Sequence, residues 1–578
     1  MAYICEICGE QVEDELICSC VIESKKEALK NRKKKYLLIN SNGEDLITAL
    51  LKARQIDEDS QKFIEGKIDG LLNNTFLNEE KAISIILDYL ENKKKIGIYG
   101  DYDADGITGI AVAISILRKL GGDVTYYVNN RFTEGFGIGP TGVEALKKEN
   151  VDLIITVDNG IAGIEGVGKA NELGMTVIVT DHHEPNDILP NALIVDPKQD
   201  GCTYPNKEIT GVGVIFKILL RVCEKLDRKN LALKQLDLVA LGTVADLGAL
   251  VGENRVIVKN GLMLWNWDKC RLNLKFLKDK LNLKRTVTSY DLGFIYGPIL
   301  NAESRLYGKP EKAVEWLITE NPKKMESLCS DLVKMNEERK SNLEKQLVIS
   351  DSLVDPTKDF FFIYDSCIEE GLAGLIASRI MDTYKRPTIV LKKDSNNNVK
   401  GSGRSFEPFN LKEALDNVKS FLLSYGGHAL ACGITLDESQ LVVVKNILET
   451  KGLQFFKDKD IVDEVIIDGS LGTHHLTESF IDLLEQLEPF GMGFKRPSFI
   501  MKDIPVRDLL ILKEKHSKFS YNNINFIAFN KILERNNDYH FIGYPKWNIY
   551  NGRKKIQFVI HHVLDKETEI CELETSTE

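Results

Sequence analysis

The sequence predicts an α/β protein of several domains, and three features of its pattern support this prediction. From Lys95, short apolar strands alternate with helical segments, which is typical of a parallel sheet with helices on both faces. A second α/β pattern follows a long polar helix, and the chain then becomes β-like and aromatic-rich. These changes divide the chain into a Cys-rich segment with a basic linker (1–35), a helical region (36–90), an α/β domain (91–322), a connector helix (323–352), a second α/β domain (353–455), a β domain (460–568) and a frayed tail (569–578).

Composition and charge exclude several classes of protein. The chain is 43% hydrophobic and 28% charged, which is ordinary for a globular protein and too apolar for wholesale disorder. Its net charge of −11 excludes a uniformly basic nucleic-acid coat but allows a local basic face. It has no apolar run near the roughly 18 residues of a membrane helix, and no signal-peptide pattern. Eleven Cys in a Lys/Glu-rich chain do not resemble a secreted disulfide framework, so we expect a reduced, cytoplasmic protein.

Four cysteines at the start of the chain form two close pairs, Cys5 with Cys8 and Cys18 with Cys20. Two such pairs can supply the four thiolates of a structural Zn²⁺ site, and a segment this small has too little core to fold without one. The alternative is a flexible tail with incidental thiols. The basic run 25–35 is interpreted as a solvated helix face or a linker.

The predicted strands of the first α/β domain end in acidic and imidazole side chains. The strands are Ile96–Tyr99, Val124–Val128, Leu153–Val157 and Thr176–Val179, and a mostly apolar helix is predicted over Ile107–Leu120. The carboxyl ends of parallel strands meet at one edge of a sheet, where ligands bind. The residues expected there are Asp101, Asp103, Asp105, Asp158, Asp181, His182 and His183, with Asp246 arriving after a later apolar segment.

Carboxylates packed this closely repel one another, so a bound cation is the natural compensation. The mixture of Asp and His suits Mn²⁺ best, with Mg²⁺ possible, and more than four ligands suggest two ions that clamp both oxygens of a phosphoryl transfer. Taken alone, one Asp-x-Asp would be a capping or Ca²⁺-like turn, and one His-His pair would be two ordinary loop residues. Three clusters at strand ends argue against these simpler interpretations.

The order of these motifs resembles that of the DHH phosphoesterase superfamily. The segments that carry the resemblance are DYDADG (101–106), VDNGI (157–161), TDHH (180–183), GTVAD (242–246), PILNAESR (298–305), GSGRS (401–405), GGHALACG (426–433) and EPFGMG (488–493), with Asn548, Gly552 and Gln557. Over about residues 90–565 the pattern is similar to RecJ-like single-strand-specific exonucleases. The resemblance implies a DHH domain, a DHHA1-type domain and a C-terminal OB-type β-barrel.

The resemblance also implies roles for individual residues. The implied Mn²⁺ or Mg²⁺ ligands are Asp103, Asp105, Asp158, His182 and Asp246. Asp101 is expected to add a ligand or orient water, Asp181 and His183 to support the ligands or face the phosphate, and His428 to meet the scissile phosphate. The implied nucleic-acid and phosphate contacts are Arg131, Asn301, Arg305, Arg379, Ser402, Arg404, Ser405, Gly427 and His428. The composition of the C-terminal region adds Trp547, Arg553 and Lys554 as nucleic-acid contacts.

Two segments depart from the family pattern. The usual Ala-Gly before Arg305 is Glu303-Ser304, and the usual His-x-Gly-Val is Glu369-Glu370-Gly371-Leu372. Neither departure removes a metal ligand. Both are expected to affect strand affinity or end specificity.

The C-terminal region is locally basic and aromatic. Residues 491–562 contain thirteen Lys/Arg, five Asp/Glu and twelve Phe, Tyr or Trp. Cationic grooves follow a phosphate backbone and exposed rings stack bases, so this composition favours single-stranded nucleic acid. Most of the rings are expected to be core; the best exposed candidates are Trp547, Tyr550 and the run 553–555.

Together, the residues and the resemblance imply a metal-dependent 5′→3′ exonuclease. It would hydrolyse single-stranded DNA by two-metal catalysis, release 5′-mononucleotides and act in DNA repair or recombination. Its expected partners are single-stranded DNA and a single-strand-binding protein or a helicase, and it is expected to be a monomer without a membrane segment. The alternatives are a phosphodiesterase for short oligoribonucleotides or cyclic dinucleotides, and an inactive replication scaffold with this fold.

Overall fold

The computed structural model describes residues 3–4, 11–12, 19–40, 45–266, 270–394, 398–459, 461–550 and 553–574. Its N-terminal elements are β1 (Tyr3–Ile4), β2 (Gln11–Val12), α1 (Ser19–Lys30), β3 (Lys34–Asn40), α2 (Leu46–Ala53), α3 (Ser60–Glu65), a 3₁₀ turn (Ile68–Leu72) and α4 (Glu79–Glu91). Cys5, Cys8 and Cys18 of the predicted zinc site lie outside the described residues, and of Cys20 only the backbone, in α1, is described.

The first α/β domain contains a five-stranded parallel sheet with spatial order β5-β4-β6-β7-β8. Its elements are β4 (Ile96–Gly100), α5 (Ala104–Lys119), β5 (Val124–Val128), α6 (Pro140–Lys148), β6 (Leu153–Val157), α7 (Ile164–Glu172), β7 (Thr176–Thr180), β8 (Leu193–Val195), α8 (Gly211–Lys225), α9 (Lys229–Leu233), α10 (Leu236–Ala245), α11 (Gly252–Asn266), α12 (Leu272–Lys280), α13 (Ser289–Asp291), a π-helical turn (Leu292–Tyr296), α14 (Gly297–Tyr307) and α15 (Glu311–Ile318). The predicted strands and parallel order are confirmed. β4 and β6 are buried along their whole length, as expected for the centre of a sheet covered on both faces.

A 31-residue helix, α16 (Pro322–Ser352), leads into the second α/β domain. That domain has a mixed sheet of order β12-β13-β11-β10-β9. Its elements are β9 (Phe361–Tyr364), α17 (Glu370–Tyr384), β10 (Thr388–Lys393), β11 (Asn398–Arg404), α18 (Leu411–Asp416), a 3₁₀ turn (Lys419–Phe421), β12 (Ser424–Gly427), β13 (Ala431–Asp437), a 3₁₀ turn (Glu438–Gln440) and α19 (Leu441–Phe456).

The C-terminal region is mainly β, as predicted, with a seven-stranded sheet of order β15-β16-β20-β21-β19-β18-β17. Its elements are β14 (Asp463–Ile467), β15 (Gly469–Ser470), a 3₁₀ turn (Thr473–His475), α20 (Glu478–Gln486), β16 (Phe499–Pro505), β17 (Leu510–Leu512), β18 (His516–Tyr521), β19 (Ile524–Ala528), β20 (Asp538–Tyr550), β21 (Arg553–Leu564) and β22 (Ile570–Glu574). Phe519, Phe526, Phe541 and Phe558 are buried in its core, in agreement with the expectation that most rings are core.

Two predictions about the chain ends are wrong. Residues 36–90 are not all helical, because β3 is the central strand of a small parallel sheet of order β14-β3-β22. The tail 569–578 is not frayed throughout, because β22 is one of the two strands that pair with β3. Short runs such as YLLI and ICELE have no helical period, and long-range pairing decides their conformation.

The N-terminal helices and the C-terminal region pack on the first α/β domain. The guanidinium of Arg255, on α11, donates to the carbonyl oxygens of Phe63 (3.0 Å), Leu487 (2.8 Å) and Pro489 (2.9 Å). The amide of Leu250 donates to the carbonyl of the EPFGMG segment residue Met492 at 2.8 Å. The C-terminal β domain is thereby fixed beside the loop that follows Asp246. Among the described helices, none is long and apolar enough to cross a membrane.

Candidate metal and phosphate site

The carboxyl ends of β4, β6 and β7 bring the predicted ligands together. The acidic cluster consists of Asp101, Asp103, Asp105, Asp158, His182 and Asp246. Its ligand atoms form overlapping groups within 4.8 Å of one another, including Asp105 with His182 and Asp246, and Asp101 with Asp103 and Asp158. His182 Nε2 lies 3.0 Å from Asp158 Oδ1 and 3.7 Å from Asp246 Oδ2. The sheet edge therefore gathers donors that are distant in sequence.

Backbone amides hold two of these carboxylates in place. Asp103 is the N-cap of α5 and accepts hydrogen bonds from the amides of Asp105 (3.0 Å) and Gly106 (3.3 Å). Asp105 accepts from the amides of Gly211 (2.7 Å) and Val212 (2.9 Å) at the start of α8. Two helix N-termini therefore face the cluster and partly offset its negative charge.

The cluster has the electrostatics of a cation site. Burial, followed by neighbouring carboxylates, raises the pKa of Asp101, Asp158 and Asp246 well above the ordinary value, and raises that of Asp105 to about 7. Burial lowers the pKa of His182 to about 3, which leaves its imidazole neutral and able to act as a ligand. Three buried atoms of the cluster, Asp101 Oδ1, Asp158 Oδ1 and His182 Nε2, have no hydrogen-bond partner. Oxygen and imidazole donors in this state fit Mn²⁺ or Mg²⁺.

Asp181 and His183 form a hydrogen-bonded pair beside the cluster. Asp181 Oδ1 lies 2.7 Å from His183 Nδ1, and Asp181 Oδ2 accepts from the amide of Ile161 at 2.9 Å. Burial opposes charge on both side chains, but their contact holds the pKa of Asp181 below its ordinary value and raises that of His183 to about 9. His183 is therefore oriented by Asp181, and this contact favours its protonated form.

His428 lies across from this pair, in the turn between β12 and β13. Its amide donates to the carbonyl of Ala431 at 2.8 Å. Burial, His183 and Lys198 all lower its pKa, which places it within electrostatic reach of the first domain. Gly427 has a φ of +127°, and a Cβ there would lie 2.3 Å from the Ala431 carbonyl oxygen, so this turn requires glycine.

Four arginines from three parts of the chain form a guanidinium cluster beside the acidic cluster: Arg131, Arg305, Arg339 and Arg404. Burial, and then the charges of Arg131 and Arg339, lower the pKa of Arg305 to about 9, whereas Asp103 and Arg404 act on it more weakly and in opposite directions. Cations gathered this closely repel one another, so the cluster suits an anion, and guanidinium groups pair with phosphate in bidentate geometry.

Each arginine of this cluster is held by its own contact. The Arg131 guanidinium lies 4.9 Å from the centre of the Tyr102 ring. Arg305 donates to the Gly371 carbonyl at 3.2 Å and Arg404 to the Gly403 carbonyl at 2.8 Å. Ser402 lies two residues before Arg404 on the same strand, β11. A Cβ at Gly374 would lie 2.9 Å from Arg404 Nη2, so the absence of a side chain at Gly374 leaves room for the Arg404 guanidinium.

Sequence reasoning missed Arg339, which lies on α16. Its side chain is buried and its Nε donates to Asn336 Oδ1 at 3.0 Å. The helix was interpreted as a connector because it is polar throughout, and nothing in its spacing distinguishes this Arg from its other basic residues. Only the packing of α16 between the two α/β domains reveals the residue.

Two predicted phosphate contacts are placed elsewhere. Ser405 is buried and its hydroxyl donates to the Phe409 carbonyl at 2.8 Å, so it holds its own loop. Arg379 is exposed on α17. It follows Gly374, the residue of α17 that meets Arg404, by five positions, so its side chain leaves the helix about 140° away from the face that meets Arg404. Asn301 precedes Arg305 by one helical turn, and its buried Oδ1 has no hydrogen-bond partner, which is compatible with its predicted role.

The departures from the family pattern have structural explanations. Glu303 is buried and accepts a hydrogen bond from the amide of Ala313 at 3.0 Å, at the start of α15. Ser304 is buried and its hydroxyl donates to the carbonyl of Asn301 at 3.2 Å. Glu369 is the N-cap residue of α17 and accepts from Asn342 at 3.0 Å on α16. Each of these three side chains therefore forms a hydrogen bond with another residue of the protein.

The C-terminal candidates are on two paired strands. The Trp547 indole donates to Asp482 at 2.8 Å, and Lys554 Nζ lies 5.4 Å from its ring centre. The Arg553 and Lys554 side chains are exposed beside it. The side chain of Tyr550 lies outside the described residues.

Three parts of the chain match known domain families. Residues 95–243 match the DHH family N-terminal domain, 359–450 the DHHA1 domain and 467–562 the RecJ OB domain. The chain is 33% identical over 477 residues to the single-stranded-DNA-specific exonuclease RecJ of Haemophilus influenzae, covering 78% of this chain and 82% of that protein.

The fold also matches solved structures. The structure of Thermus thermophilus RecJ with Mn²⁺ superimposes with a TM-score of 0.79 at 27% identity, covering 96% of this chain and 79% of that one. The same protein with Mg²⁺ gives a TM-score of 0.74 at 25% identity, with coverage of 96% and 78%. The chain belongs to the RecJ family of the DHH phosphoesterases.

Proposed function

We propose that this protein is a metal-dependent exonuclease that degrades single-stranded DNA in the 5′→3′ direction and releases 5′-mononucleotides. The observation that carries the proposal is the position of the guanidinium cluster beside the acidic cluster, with the Arg131 guanidinium over the ring of Tyr102, the residue between Asp101 and Asp103. A terminal 5′-phosphate bound by the arginines would place the first phosphodiester bond over the metal ligands. An endonuclease has no need for such an end site.

The side chains suit hydrolysis of a phosphodiester. The acidic cluster would hold two divalent ions, which would activate water and offset the charge on the phosphoryl oxygens. Neutral His182 would contribute a nitrogen ligand, while Asp181 fixes the orientation of His183. Protonated His183 can donate a hydrogen bond to a phosphoryl oxygen, and His428 approaches the scissile phosphate from the second domain.

The guanidinium cluster supports the 5′→3′ polarity that the family resemblance implies. Its four cations suit a terminal phosphate, which carries more charge than an internal phosphodiester. Cleavage of the bond between the scissile phosphorus and the 3′-oxygen then releases a mononucleotide that carries the bound terminal phosphate, and the scissile phosphate becomes the new 5′ end of the strand. The pairing of an end site with a nearby metal site explains how one nucleotide is removed at a time.

Substrate assays test this proposal directly. Purified protein with Mn²⁺ should digest a 5′-phosphorylated single strand to 5′-mononucleotides and leave a circular single strand and a blunt duplex intact. Single-stranded RNA and a cyclic dinucleotide, tested in parallel, would reveal the small-molecule or RNA activity instead. Digestion from the 3′ end, or of the circle, would contradict the proposal.

Variants of the acidic cluster locate the chemistry. Asp103→Ala or His182→Ala should lower cleavage by several orders of magnitude while the protein remains folded, because each loses a metal ligand. Asp187→Ala, an exposed carboxylate in the loop after β7, is the matched control and should retain activity. Near-normal activity in both cluster variants would exclude this site.

The N-terminal cysteines are proposed to bind a structural Zn²⁺ through Cys5, Cys8, Cys18 and Cys20. Support comes from the antiparallel pairing of β1 with β2, which joins the chain on either side of the Cys5–Cys8 pair. Elemental analysis of protein purified without chelator should give about one zinc per chain. Replacing Cys5 and Cys8 with Ser should remove it, and zinc-free wild-type protein would contradict the assignment.

The cellular context follows from the proposed substrate. We propose that the protein acts in the cytoplasm as a monomer in repair or recombination. A helicase or a single-strand-binding protein would present the strand. Pull-down with and without single-stranded DNA tests for a helicase or a single-strand-binding protein as a partner. Light scattering of the purified protein tests whether it is a monomer.

A further inference from the structure

Two aromatic side chains stand exposed near the acidic cluster. Tyr290 and Phe294 are 61% and 66% exposed, and their rings are stacked with centroids 4.8 Å apart and an interplanar angle of 24°. Phe519 and Phe526 also stack, at 4.8 Å, but both are buried in the C-terminal core. The exposed pair therefore offers aromatic surface that no core packing uses.

The segment that carries these rings is firmly anchored. It consists of α13 and the π-helical turn, a conformation often found at functional sites. Leu292 and Tyr296 are fully buried on its inner side, and Ser289 Oγ donates to the Phe490 carbonyl at 2.5 Å. The two exposed rings are thus held on a fixed support.

This support lies against the helix that ends in a metal ligand. A Cβ at Gly293 would lie 3.2 Å from Val244 Cγ1, and a Cβ at Gly297 would lie 3.0 Å from Ala245 Cβ. Val244 and Ala245 form the last turn of α10, and Asp246 follows as its C-cap residue. The segment that carries the ring pair therefore packs against the residues that lead directly into Asp246.

Cationic side chains continue from the rings toward the C-terminal β domain. The Arg285 guanidinium donates a 2.6 Å hydrogen bond to the carboxylate of Asp291, the residue that follows Tyr290. Arg496 lies over the ring of Tyr544 at 5.0 Å, on the same strand, β20, as Lys546, and burial, Arg496 and Arg285 together lower the pKa of Lys546. Arg496 also stacks over Phe490 at 4.4 Å, within the EPFGMG segment. Aromatic and basic groups thus extend from the metal site to the C-terminal sheet.

We infer that Tyr290 and Phe294 form an aromatic platform on which bases of the single strand stack between the acidic cluster and the C-terminal β domain. Arg285, Arg496 and Lys546 contact the phosphates of the same stretch. The inference rests on the proposed function and deepens it. Stacking is independent of base identity but needs unpaired bases, so the platform selects single strands over duplex.

A fluorescent base can map the platform in the full-length protein. Single 2-aminopurine substitutions are moved one nucleotide at a time from the 5′ end of a 20-nucleotide strand, with EDTA present to prevent cleavage. Wild-type protein should change the emission strongly at one or two adjacent positions. Tyr290→Ala with Phe294→Ala should abolish that change and weaken binding by roughly tenfold or more, whereas Tyr290→Trp should preserve both.

Two further readouts separate stacking from charge and from folding. The double variant should keep the wild-type salt dependence, because it loses no phosphate contact. It should also keep kcat on a dinucleotide while KM for long strands rises. Phe529→Ala is the matched control: this ring is 49% exposed in the C-terminal domain, beside His516, and its loss should leave the emission pattern intact.

The outcomes distinguish the two proposals. If wild-type protein digests single strands but the double variant binds them with unchanged affinity and emission, the platform is wrong and the proposed function stands. If wild-type protein digests no single-stranded DNA, the proposed function fails and the platform fails with it.

Discussion

The backbone amide of Gly211 donates a 2.7 Å hydrogen bond to the carboxylate of Asp105 and thereby joins α8 to the acidic cluster. The same residue touches a second ligand, because a Cβ at Gly211 would lie 2.4 Å from Asp158 Cβ and 2.7 Å from its Cα. Asp158 itself has a φ of +61°, so its backbone is already in an unfavourable region. One glycine therefore sets the spacing of two ligands.

Gly211→Ala should impair metal binding more than folding. The added methyl must displace Asp158 or the start of α8, at a cost of about 1–3 kcal/mol for such overpacking. Mn²⁺ affinity, measured by titration calorimetry, should fall together with cleavage. Gly168→Ala, in α7 with nothing within 4 Å of the added atom, is the control and should leave both unchanged. Wild-type Mn²⁺ affinity in Gly211→Ala would contradict this account of the site.

The stabilisation conferred by Mn²⁺ should increase with pH. In the metal-free protein, burial raises the pKa of Asp105 to about 7 from an ordinary value of 3.8, so the folded state holds a proton that the unfolded state has lost. Stability from this group is present at low pH and declines as pH rises from about 4 to 7. Mn²⁺ binding displaces the proton of Asp105. Each displaced proton makes the free energy of Mn²⁺ binding more favourable by about 1.4 kcal/mol for each unit of rising pH below this pKa.

Thermal unfolding at pH 5 and pH 8, with Mn²⁺ and with EDTA, measures this effect. The Mn²⁺-dependent increase in Tm should be clearly larger at pH 8. Subtracting the Tm in EDTA from the Tm in Mn²⁺ at each pH cancels the effect of titrating groups that lie away from the site. An equal increase at both values would show that the carboxylates are already ionised without metal.

The parts of the protein that sequence could predict are those with local signals. Buried strands such as β4 and β6 are continuous apolar runs, and the carboxylates that follow them must meet at one sheet edge. The conformation of β3 could not be predicted, because its partners β14 and β22 lie more than 400 residues away. Arg339 was missed for a similar reason, since only tertiary packing brings this part of α16 to the phosphate site.

Two N-terminal deletions should have different effects. Removing residues 1–18 leaves α1 and β3 in place, so the Tm and exonuclease activity should change little. Removing residues 1–40 also deletes the central strand of the β14-β3-β22 sheet and the 3.1 Å ion pair between Arg32 and Asp463. That deletion should lower the Tm markedly or prevent soluble expression. Similar melting curves for the two proteins would mean that this sheet contributes little to stability.

The basic run on β21 should contribute charge to strand binding and not to chemistry. Arg553, Lys554 and Lys555 are exposed, and Lys554 lies over the half-buried Trp547 ring. Changing all three to Ala should weaken binding to long single strands and reduce the log–log salt slope by roughly 0.7 for each lost phosphate contact. Cleavage of a dinucleotide, which cannot reach β21, should be unchanged. A deletion of the whole domain would be a poorer test, because it would also remove the contacts of Arg255 and expose the surface beneath them.

The control for this change removes equal charge from another surface. Lys94 and Lys95 directly precede β4 and Lys148 is the last residue of α6, so all three lie at the opposite end of the sheet from the acidic cluster. Replacing these three with Ala changes the net charge by the same amount, and the salt slope should stay that of the wild type. If both triple variants reduce the slope equally, binding responds to overall charge and β21 is not part of the strand path. If only the β21 variant does so, the strand reaches the C-terminal sheet, and its phosphates are neutralised there as well as at the guanidinium cluster.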